Sequence, residues 1–287
     1  MWLPGGVRVE EFERHRAHLR AVAYRMLGSA SEADDAVQET WLRTDRADTT
    51  DVRNPAAWLT TVVARVCLNL LRARETRREE PLDTHDPAST ADPEHEAELA
   101  DSVGLAMLVV LDTLGPAERL AFVLHDLFDV PFDDIAPLVD RTPAATRQLA
   151  SRARRRVSGT TRAPETDLAR QRPVVEAYLA AARRGDFDAL LTLLDPDVVL
   201  RADAAVGPSP RPFTLRGPRA VGRMASRSGA RAVASATALV DGLTGIVMAA
   251  NGRFTLAMTF TVTDGLITGI DVIAEPERLR RLEVALP

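Results

Sequence analysis

Residues 132–157 place an arginine-loaded helix directly behind a short apolar one, and that pairing restricts the segment to a helix-turn-helix. Residues 133–139 predict a short helix with Ile135 and Leu138 on its apolar side. Thr142 suits the N-cap and Pro143 the first helical position, where a missing N–H leaves no partner wanting. From there Ala145, Leu149 and Ala153 recur at helical spacing and are expected inside, while Arg147, Arg152, Arg154, Arg155 and Arg156 fall largely outside. A solvated arginine-rich face is the plain alternative. It is disfavoured because no acidic residue between Arg141 and Arg162 balances the charge, and a helix that enters the major groove needs such an excess.

The net charge of −5 opposes DNA binding until it is divided along the chain. Residues 81–99 carry Asp83, Asp86, Asp92, Glu94, Glu96 and Glu98 without one arginine, so the local stripe matters and the bulk charge does not. Every basic residue is arginine, a bias assigned to genome composition rather than to a site. The 287 residues suffice for two or three domains with cores of their own. No apolar run is read as approaching the roughly 20 residues of a membrane span, and the N-terminus lacks a basic stretch followed by an apolar one. Cys67 is the only cysteine, which excludes internal disulfides and cysteine metal clusters and fits a reducing compartment. A cytoplasmic protein with no membrane partner is expected.

Residues 10–80 read as helical. Phe12, Leu19, Val22, Ala23, Met26 and Leu27 form an apolar stripe closed by Gly28, and Ser31 is expected to cap a second helix through Ala33, Ala36, Val37 and Trp41. A polar loop over 44–54 precedes a long helix opened by Pro55. Residues 81–93 are acidic, proline-bearing and poor in large apolar residues, hence a linker. Residues 158–164 read as a second one. Beyond Pro164 the period changes. Helices over 172–184 and 187–194 lead into β-rich segments at 198–201, 236–240, 245–249, 253–262 and 266–273, several bounded by Asp-Gly or Asn-Gly turns. Helices followed by antiparallel strands predict an α+β domain.

The stretch 19–43, LRAVAYRMLGSASEADDAVQETWLR, resembles region two of the extracytoplasmic-function sigma factors of bacterial RNA polymerase. Residues 54–72 resemble the part that melts and reads the −10 element, and residues 114–157 resemble region four, which reads the −35 element. The two blocks stand in family order with a linker between. The resemblance implies core polymerase and promoter DNA as partners. It assigns Asp34, Asp35, Gln38 and Glu39 to polymerase, and Asn54, Arg65, Asn69, Arg72 and Arg74 to the melted −10 strand, with the 44–54 loop as a base pocket. Trp58, in register with Leu59, Val62 and Val66, is expected in the core. For the −35 element it assigns Thr142, Ala144, Ala145, Thr146, Arg147, Gln148 and Ser151 at base edges or adjoining phosphates. Arg152, Arg154, Arg155 and Arg156 would meet phosphates further along.

Residues 171–286 resemble the SnoaL-like branch of the NTF2-like cone fold, which a sigma-J-like subgroup carries as an extension. The expected architecture is multidomain. Two all-α sigma domains (8–80 and 99–158, the latter the helix-turn-helix) flank the acidic linker 81–98, and a linker at 159–170 leads to an α+β NTF2-like domain at 171–287. In that subgroup the linker holds a Trp-Leu-Pro motif, and the extension an Asp-Gly-Gly-Gly-Lys-like and an Asn-Pro-Asp-Lys-Leu-like motif. Here the linker keeps Glu80, Pro81 and Leu82. Asp203 is followed by Ala-Ala-Val, and Glu275, Pro276, Glu277, Arg278 and Leu279 echo the last motif.

Cone folds also host enzymes. Tyr178 and Asp203 stand near where ketosteroid-isomerase relatives keep an oxyanion-hole tyrosine and a general base. Against catalysis, the strand position for a protonated acid is apolar near Met258, and no histidine follows Pro164. The expectation is therefore a non-catalytic regulatory domain without cofactor or metal, whose small-molecule ligand stays an open matter. Alternatives from other classes are a one-component ligand-responsive DNA-binding regulator and a SnoaL-like enzyme fused to a DNA-binding module. Neither has a use for the region-two block.

Overall fold

The computed structural model describes residues 9–79, 104–159, 165–207, 209–250 and 252–287. The acidic linker 81–98, Glu80, the N-terminal octet and most of the 158–164 linker lie outside the described residues. Two compact units result among the described residues: residues 9–79 with 114–154, and residues 104–113 with 155–159 and those from 165 on.

In the first unit α1 (Val9–Leu27), α2 (Ala30–Arg46) and α3 (Pro55–Glu79) pack pairwise. Phe12, Leu19, Val22 and Met26 meet Ala33, Val37, Leu59, Val63 and Cys67 in a fully buried core. Gly28 ends α1 at φ 77°, its N–H donating to the Tyr24 carbonyl at 2.7 Å, a left-handed cap that glycine adopts without a Cβ clash. Ser29, rather than the expected Ser31, holds the N-cap position of α2. Residues 55–76 do make a helix long and apolar enough to span a membrane, contrary to the reading of apolar runs. Its Leu59, Val63, Ala64, Cys67 and Leu68 are buried where it packs on α1 and α2, which marks a core helix.

The remainder of this unit is α5 (Pro116–Phe122), a π turn (Val123–Leu127), α6 (Phe132–Ile135) with a 3-10 turn (Ala136–Leu138), and the start of α7 (Pro143–Ser158). α5 packs on α3, and the π turn on α1. Arg119, 1% exposed, donates through Nε and Nη2 to the Arg25 carbonyl at 3.4 and 3.3 Å. Phe128 sits edge-on to His18 (5.3 Å) and beneath the Arg25 guanidinium (5.1 Å).

In the second unit seven strands run in the order β2-β1-β6-β5-β4-β3-β7. They are β1 (Leu194–Ala202), β2 (Phe213–Arg216), β3 (Ser235–Val240), β4 (Leu243–Ala250), β5 (Arg253–Thr263), β6 (Leu266–Ile273) and β7 (Val284–Ala285). All neighbours are antiparallel except β1 and β6. The expected hairpin turns form with Asp241-Gly242 and Asp264-Gly265 all at positive φ, as type I′ geometry requires. Gly245 has no room for a side chain: a Cβ there would stand 2.6 Å from the Met258 carbonyl oxygen. β2, β7 and the helices α10 (Pro218–Ser226) and α11 (Gly229–Val233) were not foreseen. α8 (Glu165–Arg184) begins earlier than expected, carrying Pro173 inside it, and α9 (Phe187–Leu193) follows.

Within the segment 99–158, residues 105–112 cluster with the second unit. α4 (Leu105–Asp112) packs on β3, β4, β5 and β7 rather than with the helix-turn-helix. Asp112 accepts the Phe254 N–H at 2.9 Å, and Leu108, Val109, Val110 and Leu111 are buried.

Gln171 on α8 clamps two strands. Its Nε2 donates to the Phe260 carbonyl at 2.8 Å, and its Oε1 accepts the Thr244 N–H at 3.0 Å. Gln171→Leu leaves both backbone groups unpaired inside, at a cost of about 1–3 kcal/mol. A lower urea midpoint for the C-terminal transition is expected, and an unchanged midpoint would remove the clamp from the account.

Candidate nucleic-acid interface

Thr142 caps α7: its Oγ1 accepts the Ala145 N–H at 3.2 Å, so the first turn is fixed by the chain's own side chain. Thr146 (0% exposed), Leu149, Ala150, Ala153 and Val157 face the core. Thr146 thus departs from the expected set of base-facing residues. Its hydroxyl donates to the Thr142 carbonyl at 3.0 Å and takes the inward place expected of Ala145, which stays half-buried. The opposite face is exposed along Ala144, Arg147, Gln148, Ser151 and Arg155, a stripe with helical spacing.

The arginines of α7 do different things. The Arg147 guanidinium lies over the Phe132 ring at 5.3 Å, and that ring stacks on His125 at 3.8 Å. Arg152 pairs with Glu118 at 2.8 Å, and Arg154 with Asp126 at 2.6 Å. Arg155 has no acidic partner among the described residues. Phe132, a support for Arg147, was missed because in sequence it reads only as the first apolar residue of a helix.

On α2, Asp34, Asp35 and Gln38 are exposed and Glu39 half-exposed. Arg20 holds Asp34 at 2.6 Å, and Arg43 holds Glu39 at 2.7 Å. Leu42, 46% exposed, extends the Asp35–Gln38 stripe by one turn. Its place at i+7 from Asp35 was the signal that would have found it.

On α3, Arg65, Asn69 and Arg72 share the exposed side. Arg74 does not. It is buried, pairs with Glu32, and donates through Nη1 to the Leu27 carbonyl at 3.2 Å. The track expected over Arg65, Asn69, Arg72 and Arg74 therefore loses its last member to the joint between α1 and α2. Asn54 caps the helix by accepting the Ala57 N–H at 3.2 Å. Trp58 is half-buried. Burial pushes the Cys67 thiol up to about 12, leaving it protonated and inert near neutrality.

In the second unit the two halves of the anticipated contact surface come together through Asp203. Its carboxylate accepts the Ala205 N–H at 3.2 Å and the Ala274 and Glu275 N–H groups at 2.8 Å each. Arg278 stands 3.6 Å away. Residues 275–279 thereby fold into α12 (Pro276–Leu279), and Leu279 packs with Ala257 and Ile273. A groove of about 550 Å³ opens beside it, lined by Arg201, Asp203, Phe213, Asp271, Glu275 and Arg278. Tyr178 is buried edge-on to Phe260 at 5.3 Å, and desolvation pushes its phenol well above the ordinary range. Among the described residues no group of three or more His, Cys, Asp and Glu is placed to hold a metal.

A family model of Sigma-70 region 2 matches residues 12–77, and one of Sigma-70, region 4 matches residues 105–157. The chain is 36% identical over 282 residues to the probable ECF RNA polymerase sigma factor SigI of Mycobacterium tuberculosis (strain CDC 1551 / Oshkosh), covering 95% of this chain and 94% of that one. It is 42% identical over 206 residues to the ECF RNA polymerase sigma factor SigJ of Mycobacterium tuberculosis (strain ATCC 25618 / H37Rv), covering 69% and 65%. The crystal structure of the Mycobacterium tuberculosis extracytoplasmic function sigma factor SigJ aligns over 94% of this chain and 98% of its own, at 35% identity and a TM-score of 0.46.

The two neighbouring arginines of α3 are separable by experiment. Arg74→Met strands the Glu32 carboxylate and the Leu27 carbonyl, so a loss of about 1–3 kcal/mol in thermal or urea unfolding is expected. Arg72→Met on the exposed side should stay within about 0.5 kcal/mol of the parent. Equal effects of the two would contradict the inward assignment of Arg74.

Proposed function

This chain belongs to the extracytoplasmic-function RNA polymerase sigma factors, proteins that bind core polymerase and direct promoter-specific initiation, and we propose how its residues divide that work. The observation that carries the proposal is the outward stripe of α7, Ala144, Arg147, Gln148, Ser151 and Arg155, behind a buried apolar face. Ala144, Arg147, Gln148 and Ser151 read the −35 element from the first two turns. Arg152, Arg154 and Arg155 neutralise phosphates, the first two by exchanging their carboxylate partners. Arg147 reaches its base already aligned on Phe132.

The exposed side of α3, Arg65, Asn69 and Arg72, follows the melted −10 strand. Asn54 contributes by fixing the start of that helix, with the 44–54 loop as the pocket for an unstacked base. Asp34, Asp35, Gln38 and Glu39 meet core polymerase, and Leu42 adds an apolar anchor to that polar face.

The C-terminal unit regulates without catalysis. The Asp203 carboxylate accepts three backbone N–H groups at its two oxygens beside Arg278, a structural use of the side chain that supports this reading. Asp203 and residues 275–279 act as one folded surface beside the groove. Cutting the chain after the helix-turn-helix would also strip the cover from α4, so point variants are the cleaner probes of regulation.

Run-off transcription with core polymerase and a promoter library tests the assignment. Arg147→Ala and Gln148→Ala are expected to change the preferred −35 bases, each by about 1–3 kcal/mol of discrimination. Arg155→Ala should weaken all sequences alike and reduce the salt slope by about one. An unaltered preference in both reading variants would remove them from the site. Asp203→Ala should change transcription with no carbonyl substrate turned over, and Tyr178→Phe should change little.

A further inference from the structure

No acidic residue occurs between Asp203 and Asp241, while that stretch carries Arg211, Arg216, Arg219, Arg223, Arg227 and Arg231. With 41 acids in 287 residues, a segment of this length would ordinarily hold about five, so the run is a genuine charge block within an acidic chain. All six arginines are exposed. None makes an ion pair among the described residues, and the one side-chain bond among them is a long contact from Arg231 to the Val206 carbonyl at 3.5 Å. Three arginines of α7 and α2 behave otherwise: Arg152, Arg154 and Arg43 each hold a carboxylate.

The middle of the block is ordered by α10. Val221, Gly222 and Ala225 face inward, with Gly222 close against the Phe187 ring. Arg219, Arg223 and the C-cap residue Arg227 recur every four residues on the side away from them. That spacing sets the three arginine Cα atoms about 6 Å apart along the helix axis. Like charges at i, i+4 repel one another, and the acids on the elements packed against α10 do not relieve this. Asp188 on α9 and Asp195 and Asp197 on β1 form no ion pair with the stripe, and the Asp195 carboxylate accepts the Asp197 N–H at 2.8 Å. The row faces water, and an external polyanion would relieve its mutual repulsion.

We propose that the outward face of α10, Arg219, Arg223 and Arg227, is a second nucleic-acid contact of this protein, binding the phosphate backbone of duplex DNA without reading its sequence. Guanidinium groups match phosphate oxygens in pairs, and a regular row of them tracks a backbone with charges at regular spacing. A membrane surface is the other polyanion. A helix that lies on a membrane must present an apolar face to it, whereas the apolar face of α10 is buried in its own domain. Tethering to the helix-turn-helix raises the local DNA concentration for such a contact, although the face does not depend on which bases α7 reads.

The test uses the full chain and a duplex lacking any promoter element, with binding followed by fluorescence anisotropy across a salt series. Replacing Arg219, Arg223 and Arg227 by Gln is expected to lower the slope of log affinity against log salt by about three, while Arg155→Gln lowers it by about one. Replacing the same three by Lys should keep the slope, since charge is what the backbone demands. Should the triple Gln variant not fold, Arg223→Gln alone is expected to lower the slope by about one. Promoter preference in the run-off assay should be unaffected by α10 variants, so failure of this contact and failure of the α7 assignment are read separately. An unchanged salt slope in the Gln variants overturns the proposal. So does a Lys variant that loses as much as the Gln variant. Loss of binding only to vesicles of phosphatidylcholine and phosphatidylglycerol, with the DNA slope intact, overturns it in favour of a lipid surface.

Discussion

A guanidinium group cannot shed its charge inside a protein and presents five N–H donors. In a chain whose 36 basic residues are all arginine, every positive side chain must therefore find acceptors or face water. The architecture follows that constraint. Arg119 is buried where the Arg25 carbonyl is available, which secures the helices around the π turn to α1. Arg74 is buried where Glu32 and the Leu27 carbonyl converge, which locks the turn between α1 and α2. Arg183 closes the far end of α8 by donating to the Ala232 and Ser235 carbonyls at 3.1 and 2.6 Å. Among the arginines left outside, those on α7, α3 and α10 are the ones proposed above to meet nucleic acid.

Carboxylates carry the complementary role. Glu118 and Asp126 hold Arg152 and Arg154 at defined positions along α7, with each arginine side chain about half exposed. Asp203 is the opposite case. Buried and bonded to three backbone N–H groups, it organises the 274–279 turn.

The place of α4 bears on how the extension and the helix-turn-helix segment are connected. The region 4 match begins at residue 105, yet residues 105–112 complete the core of the sheet domain. A helix of eight residues with four of them buried cannot exchange water for that core without a large loss of apolar burial. The C-terminal domain is thus part of how this segment of the chain folds, which is more than a tethered appendage would be.

Sequence alone determined whatever depends on neighbours along the chain. Thr142-Pro143 announced a helix start, Asp-Gly pairs at 241 and 264 announced hairpins, and alternation gave β1 and β3 to β6, because caps, turns and strand period are local properties. The family pattern added the ordered pair of DNA-binding blocks. Tertiary structure decided which member of a local pattern faces which way. Arg72 and Arg74 stand about 200° apart around a helix, so spacing separates their faces, but only the fold shows that Arg74 finds Glu32 and the Leu27 carbonyl, more than forty residues earlier in the chain. Residues 105–112 are apolar on nearly every side, so no periodicity says which core they join. Those outcomes rest on partners brought close by folding, and a one-dimensional pattern holds the demand for a partner without its address.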